Sequence, residues 1–180
     1  MKRIPLVLVT FTALASVMAL VVAATEPPDD DAISISAGRL PAGYRDWRLI
    51  SVAHEEGDLN DLRAILGNDV AIKAYRDGEK QGGTTSFPDG AIIARLAWKY
   101  LPSEENNKAF GRAQSFVAGP PVNGVQFMLK DSKKYASTGG WAFAQFDDGK
   151  PLLDGPMLKS CFQCHQHVKD RDLVFTRYAP

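Results

Sequence analysis

The residues best suited to chemistry lie near the C-terminus, in the segment Cys161-Phe162-Gln163-Cys164-His165. It contains both cysteines of the 180-residue chain. Two thiols three residues apart lie on one turn of a helix, so both can reach vinyl groups along one haem edge. The histidine that follows then lies beneath the iron as proximal ligand. The spacing therefore predicts one haem c, attached through Cys161 and Cys164, with His165 as the metal ligand.

Three other uses of these side chains remain open. A thioredoxin-like redox pair is expected between a strand and a helix of a βαβ unit, whereas this motif lies close to the end of the sequence. A zinc site made of both cysteines, His165 and His167 would crowd its ligands into one short segment, without a second arm to close a tetrahedron. A disulfide between Cys161 and Cys164 would leave the adjacent histidine unused. Haem attachment uses both cysteines and His165 and meets none of these difficulties.

The N-terminal residues have the pattern of an export signal. Lys2 and Arg3 precede an apolar run from Ile4 to Ala24, and small residues before Thr25 offer a cleavage site. We therefore predict a signal peptide over residues 1–24 and a periplasmic or otherwise exported domain. An uncleaved membrane anchor is the alternative. Haem is attached to this kind of motif outside the cytoplasm, so export and haem attachment support each other.

Charge and composition bound the remaining possibilities. The chain has 21 basic and 21 acidic residues, and its longest block of like charge is the run of three aspartates at 29–31. This balance gives no footprint for nucleic acid. Residues 25–38, with two prolines and those aspartates, are typical of a flexible linker. Residues 39–180 form a segment of about 140 residues, which is enough for one domain with one core.

The pattern within this domain indicates strands before a final helix. Strand candidates are residues 44–50, 62–66, 91–100, 113–118, 125–129 and 141–146. Asp69 is placed to cap a short helix over residues 70–76, and a one-turn helix is expected to end near Tyr135. A polar loop is expected at residues 102–108. With a haem-carrying helix beginning near Met157, this outline predicts an α+β fold.

The position of the motif bears on the iron's sixth ligand. Small electron carriers usually place the motif near the N-terminus and supply a methionine from far downstream, but no methionine follows His165. A four-helix haem bundle would need four long helical patterns, which are absent from the sequence. Met157 lies on the helix of the haem motif and Met128 is better explained as strand core, while His54 falls in a polar loop and His167 points away from the iron. We therefore expect an open sixth position.

Several stretches of the chain resemble the cytochrome P-460 family, which includes the cytochromes c′ of beta type. Besides the haem motif they are Leu40-Pro41, Tyr44-Arg45-Asp46-Trp47, Phe87-Pro88-Asp89-Gly90, Gly140-Trp141-Ala142-Phe143 and Asp172-Leu173-Val174-Phe175-Thr176-Arg177-Tyr178. The resemblance covers most of the predicted domain. It implies an antiparallel β-sheet with a few helices, usually in a homodimer, around a five-coordinate haem c with an open distal side.

The resemblance also implies two activities. Family members either oxidise hydroxylamine or bind nitric oxide without evident turnover. In the hydroxylamine-oxidising members a lysine after the turn that matches residues 87–90 is joined to the haem ring, and its position here is Arg95. A protonated guanidinium is a poor nucleophile, and Lys99, with the same strand parity, is the alternative. Those members also place a carboxylate over the haem, for which Asp154 is the nearest candidate.

We therefore expect a mono-haem cytochrome that binds nitric oxide or a related small nitrogen or oxygen ligand. Arg95 would donate hydrogen bonds to that ligand if it faces the distal pocket, and would otherwise face solvent. Leu59, Trp141 and Phe143 are candidates for an apolar wall over the iron, or for ordinary core. Two alternatives remain: an oxidoreductase that oxidises hydroxylamine or reduces peroxide with Arg95 or Asp154, and an electron carrier with a saturated iron. A homodimer and a redox partner protein are the expected partners.

Overall fold

A computed structural model describes residues 30–80, 85–152 and 155–179. These residues form one antiparallel sheet in which each strand pairs with its neighbour in the sequence. Its strands are β1 (Arg48–Glu55), β2 (Asp61–Gly67), β3 (Ile92–Pro102), β4 (Phe116–Lys130), β5 (Trp141–Asp147) and β6 (Lys150–Pro151). The helices are α1 (Asp30–Ser36), α2 (Asp69–Lys80), α3 (Glu104–Phe110) and α4 (Gly155–His165). The predicted α+β fold, with an antiparallel sheet and a few helices, is confirmed.

Strand register divides the sheet into two faces, because successive side chains of a strand point to opposite sides. Ile93, Met128 and Phe143 form one row across β3, β4 and β5 and belong to a core beneath α2 and α4. We call this side the α4 face. Ile92 and Leu129 alternate with that row and belong to a second core, which includes α1. We call the opposite side the α1 face.

Helix α2 covers one half of the α4 face. Ala71, Ile72, Ala74 and Tyr75 are buried in α2, and their spacing is that of one helical face. They pack against the sheet together with Trp141, which has no exposed surface. Burying one large apolar side chain stabilises the fold by about 1.5–3 kcal/mol. The buried residues of α2 therefore hold this helix firmly against the α4 face.

Two predicted boundaries are wrong at the ends of strands. The strand predicted over residues 44–50 begins only at Arg48, because Gly43 has a positive φ and starts a short 3-10 turn. The loop predicted at residues 102–108 overlaps α3, which ends at Phe110. Ser103 caps this helix by accepting a hydrogen bond from the backbone N–H of Asn106.

Strand β4 joins two segments that were predicted as separate strands, 113–118 and 125–129. The residues between them were not predicted as strand, yet Trp98 of β3 pairs with Pro121 through irregular register. The one-turn helix predicted to end near Tyr135 is also displaced, since a 3-10 turn occupies Ala136–Thr138. The strands predicted at 62–66, 91–100 and 141–146 are confirmed as β2, β3 and β5.

Helix α1 lies inside the segment 25–38 that was predicted as a linker. Its Ile35 is buried in the core of the α1 face. The predicted signal peptide, residues 1–24, lies outside the described residues. Within the described residues, the helices are too short or too polar to cross a membrane.

The start of α2 corrects a further prediction, because Asn68 caps the helix instead of Asp69. The Asn68 Oδ1 atom accepts hydrogen bonds from the backbone N–H groups of Ala71 and Ile92, both at 3.0 Å. Its amide donates to the Gly90 carbonyl at 2.8 Å. The Asp69 side chain is 85% exposed and forms an ion pair with Arg48. Asn68 therefore ties the first turn of α2 to the start of β3.

We expect Asn68→Ala to lower the free energy of unfolding of the haem-loaded protein by about 2–3 kcal/mol, because two backbone donors lose their acceptor. Asp69→Ala is the matched control and should cost no more than about 1 kcal/mol. Denaturant unfolding followed by circular dichroism measures both values. Equal losses in the two variants would contradict the cap assignment.

Candidate haem site

Helix α4 carries Cys161, Cys164 and His165. Successive residues of a helix are about 100° apart, so these three side chains project from one side within an arc of roughly 100°. Both cysteines are free thiols. Burial raises the pKa of the Cys161 thiol. Within the described residues, no three His, Cys, Asp or Glu side chains are grouped to hold a metal ion.

The orientation of the His165 ring is fixed by the C-terminal tail, which comprises residues 172–179. Its Nδ1 atom lies 2.6 Å from the carbonyl oxygen of Leu173. A carbonyl can only accept, so Nδ1 carries the proton and donates it. Burial lowers the pKa of His165, which favours the neutral ring. The lone pair is therefore on Nε2, as an axial iron ligand requires.

Two aromatic rings pack against the His165 imidazole. Phe143 of β5 has its ring centroid 5.0 Å away, and Phe175 of the tail lies at 5.0 Å in an edge-to-face arrangement. Phe162, the residue after the first cysteine, packs against the core and lies 6.5 Å from Phe143. The imidazole is thus held by a hydrogen bond along one direction and by apolar surfaces on its sides.

Arg95 belongs to a polar row on the α4 face. It pairs in register with Gln126 of β4, which pairs with Gln145 of β5, two residues from Phe143. The Arg95 guanidinium donates to the Gln126 Oε1 atom at 3.0 Å. Gln126 in turn donates to Gln145 at 2.9 Å. The arginine side chain is only 18% exposed, so it does not lie on an open surface of the strand.

Asp61 pairs with two arginines beneath this row. Its carboxylate is fully buried and accepts from Arg95 at 2.9 Å and from the Arg63 Nε atom at 2.7 Å. Arg63 also contacts Glu55 at 3.0 Å. Burial and the nearby Arg63 lower the pKa of Arg95, and the Asp61 charge opposes them. The guanidinium is therefore held in place as a charged group.

The histidines suggested as a sixth ligand are engaged elsewhere. His54 lies in β1, not in a loop as predicted, and its Nε2 atom is 3.3 Å from the Asn60 side-chain oxygen. Its ring also packs on Tyr100, with centroids 3.9 Å apart. His167 is exposed, and its Nδ1 atom is 2.9 Å from the Cys164 carbonyl oxygen.

The other candidates are more dispersed. Met128 is buried in the core of the α4 face. Lys99 is exposed on β3. Asp154 and the side chain of Met157 lie outside the described part of the chain, so the structure gives neither a position.

The predicted apolar wall divides into three environments. Phe143 contacts His165, as described above. Trp141 belongs to the core and packs edge-to-face on Phe87 with centroids 5.5 Å apart. Leu59 is 52% exposed in the turn before β2. Trp141 is therefore an ordinary core residue, and Phe143 is the member of this group that reaches the site.

The sequence did not identify Asp61, Arg63 or the Leu173 carbonyl, which hold Arg95 and His165 in place. Asp61 and Arg63 are two residues apart in β2, so their side chains point to the same face of the sheet. This spacing was the available sequence signal for their ion pair. Nothing in the local sequence indicated that Asp61 would be buried. The contribution of the Leu173 carbonyl could not be predicted, because every residue has a carbonyl and only the fold selects one.

The two cysteines and the adjacent histidine of α4 are the residues that c-type haem proteins use to hold their haem. The sequence model of the family Cytochrome P460 matches residues 41–176. The chain belongs to this family, as its resemblance predicted. No curated protein matches the chain.

The described residues fit a covalently attached haem in three respects. Both thiols are free and lie on one side of α4. His165 presents an unprotonated Nε2 atom. Phe143 and Phe175 supply apolar surfaces beside the imidazole. Cys161 and Cys164 would hold the haem through thioether bonds, and His165 would bind its iron.

We expect His165→Ala to remove the proximal ligand while the two cysteines keep the haem attached. The absorption bands of the ferrous protein should shift, and added imidazole should restore them by filling the vacated space. His167→Ala is the control, since this exposed side chain is directed at the backbone of α4, and its spectrum should match the parent protein. An unchanged spectrum in His165→Ala would refute the ligand assignment.

Proposed function

We propose that this protein is an exported mono-haem c-type cytochrome that binds nitric oxide, or a related small nitrogen or oxygen species. A haem iron held by one axial nitrogen supplies a vacant position for such a ligand. This proposal rests on the 2.6 Å contact between His165 Nδ1 and the Leu173 carbonyl, because that contact leaves one imidazole nitrogen to bind iron. The engagement of His54, His167 and Met128 elsewhere supports an open sixth position.

Arg95 is proposed as the distal hydrogen-bond donor. It lies on the same sheet face as Phe143, which packs on His165. Its bonds to Asp61 and Gln126 use two of its five N–H donors among the described residues, so others can face a ligand. A positive group already fixed in place stabilises a ligand that gains negative charge when it binds.

The pairing of Arg95 with Asp61 favours ligand binding over hydroxylamine oxidation. A guanidinium that is charged and held by a buried carboxylate is a poor nucleophile towards a haem ring. Lys99, the alternative residue for a link to the haem ring, is exposed on the same strand. An oxidoreductase that uses Arg95 as a fixed positive charge is the second candidate function.

We also propose that the domain is exported and forms a homodimer. Export is supported by the basic and apolar pattern of residues 1–24 together with the haem motif. The dimer is supported by the family's usual state and by exposed apolar residues on the edge strand β1. Leu49 and Val52 are 52% and 66% exposed, and both pair with residues whose side chains lie on the α1 face. Apolar residues that remain exposed on a sheet favour association.

We expect Arg95→Gln to speed nitric oxide dissociation roughly tenfold or more, because a hydrogen bond from a charged donor is worth about 1.5–3 kcal/mol. Stopped-flow measurement of the ferrous complex gives this rate. Arg112→Gln is the matched control, since this arginine is exposed beyond α3. Equal rates in the parent and in Arg95→Gln would rule out Arg95 as the distal donor, and failure of the parent to bind nitric oxide would rule out the function itself.

Val52→Glu should shift the protein from dimer towards monomer, because a charge would then be buried in the contact. Sedimentation velocity of the haem-loaded protein measures the distribution. Lys99→Glu is the control on the α4 face, and we expect it to leave the distribution between dimer and monomer unchanged. A monomeric parent protein would refute the dimer, and a dimeric Val52→Glu variant would place the contact elsewhere.

A further inference from the structure

The turn that supplies the Leu173 carbonyl has an unfavourable backbone conformation. Asp172 and Leu173 have φ values of 50° and 65°, although neither is glycine. Left-handed conformations of side-chain-bearing residues cost free energy, and two in succession are rare. Backbone hydrogen bonds from Leu173 to Val168 and from Val174 to Arg171 close this turn. Such a conformation persists only where surrounding contacts impose it.

The Asp172 carboxylate imposes this conformation, because it accepts hydrogen bonds from three separate parts of the chain. Its Oδ1 atom accepts from Lys130 Nζ of β4 at 2.6 Å and from Trp141 Nε1 of β5 at 3.2 Å. Its Oδ2 atom accepts from the Phe87 backbone N–H at 2.9 Å. The carboxylate therefore binds the tail to two adjacent strands and to the segment before β3.

Lys130 makes this anchor rigid. The residue is only 8% exposed, although it carries a charge. Its ammonium group also donates to the Gly139 carbonyl at 3.1 Å and lies 5.0 Å from the centre of the Trp141 ring. A buried ion pair with further hydrogen bonds on both partners strongly restricts the geometry of each.

We propose that Asp172 is a positioning residue for the proximal ligand: it holds the strained turn so that the Leu173 carbonyl stays bonded to His165 Nδ1. This rests on the proposed role of His165 as the axial ligand. A strong acceptor at Nδ1 raises the basicity of Nε2, and a more basic imidazole strengthens its bond to iron. The anchor thereby favours ferric over ferrous iron and lowers the reduction potential.

The direction of the expected change follows from the loss of this acceptor. Asparagine at position 172 keeps the size of the side chain but removes its charge, so Lys130 loses its ionic partner and the turn relaxes. The bond from His165 to Leu173 then lengthens and Nε2 becomes less basic. The iron–histidine bond weakens, and the ferrous state becomes relatively more stable.

The test compares haem-loaded Asp172→Asn with the parent and with Asp170→Asn. Asp170 is an exposed carboxylate two residues earlier, so its variant controls for charge alone. Resonance Raman spectroscopy of the ferrous protein reports the iron–histidine stretch, and redox titration reports the midpoint potential. We expect Asp172→Asn to lower the stretching frequency and raise the potential, with a roughly tenfold change in the equilibrium corresponding to about 59 mV. Asp170→Asn should change neither.

Lys130→Gln provides a second variant if Asp172→Asn does not fold. It retains a donor but removes the charge, and we expect shifts in the same direction and of smaller size. A variant of either residue that is less stable but keeps the parent frequency and potential would show a merely structural role and overturn the proposal. A six-coordinate parent would instead refute the open site, while the potential of the variants would still test the anchor.

Discussion

One hydrogen bond decides what the haem motif of this protein can do, the bond from His165 Nδ1 to the Leu173 carbonyl. It fixes the tautomer of the ring, so Nε2 is the nitrogen with a free lone pair. It also joins the end of α4 to the C-terminal tail, which otherwise has no regular secondary structure. A cysteine pair alone would attach a haem, but the coordination of its iron depends on this contact.

The sheet supports that bond from one face. Its apolar half, under α2 and α4, includes Phe143, whose ring packs on His165. Its polar row, which consists of Arg95, Gln126 and Gln145, lies on the same face, and Asp61 holds Arg95 there as a fixed positive charge. An axial ligand and a polar group are thereby mounted on one rigid scaffold, which limits the cost of organising either when a ligand binds.

The sequence predicted the parts of this arrangement that depend on local pattern. The haem motif is a local signal, and the short runs of apolar and aromatic residues in β2 and β5 indicated those strands. Helix α3 was missed because its polar residues resemble a loop, and its cap, Ser103, is also common in turns. The middle of β4, which was not predicted as strand, contains two prolines, and prolines are unfavourable in a regular strand.

The residues that hold Arg95 and His165 in place were not predicted, for a different reason. Burial of Asp61 and the three hydrogen bonds of Asp172 join segments that are far apart in the chain. A single sequence contains no signal for such long-range pairs. The choice of the Leu173 carbonyl likewise depends on a strained turn, which local propensity would disfavour.

The most direct test of the account is the absorption spectrum of the purified ferrous protein before and after nitric oxide is added. An iron with His165 as its single axial ligand should give a high-spin, five-coordinate spectrum with ordinary c-type bands, and nitric oxide should shift them. A low-spin, six-coordinate ferrous spectrum that does not change with nitric oxide would contradict the account and would indicate an electron carrier.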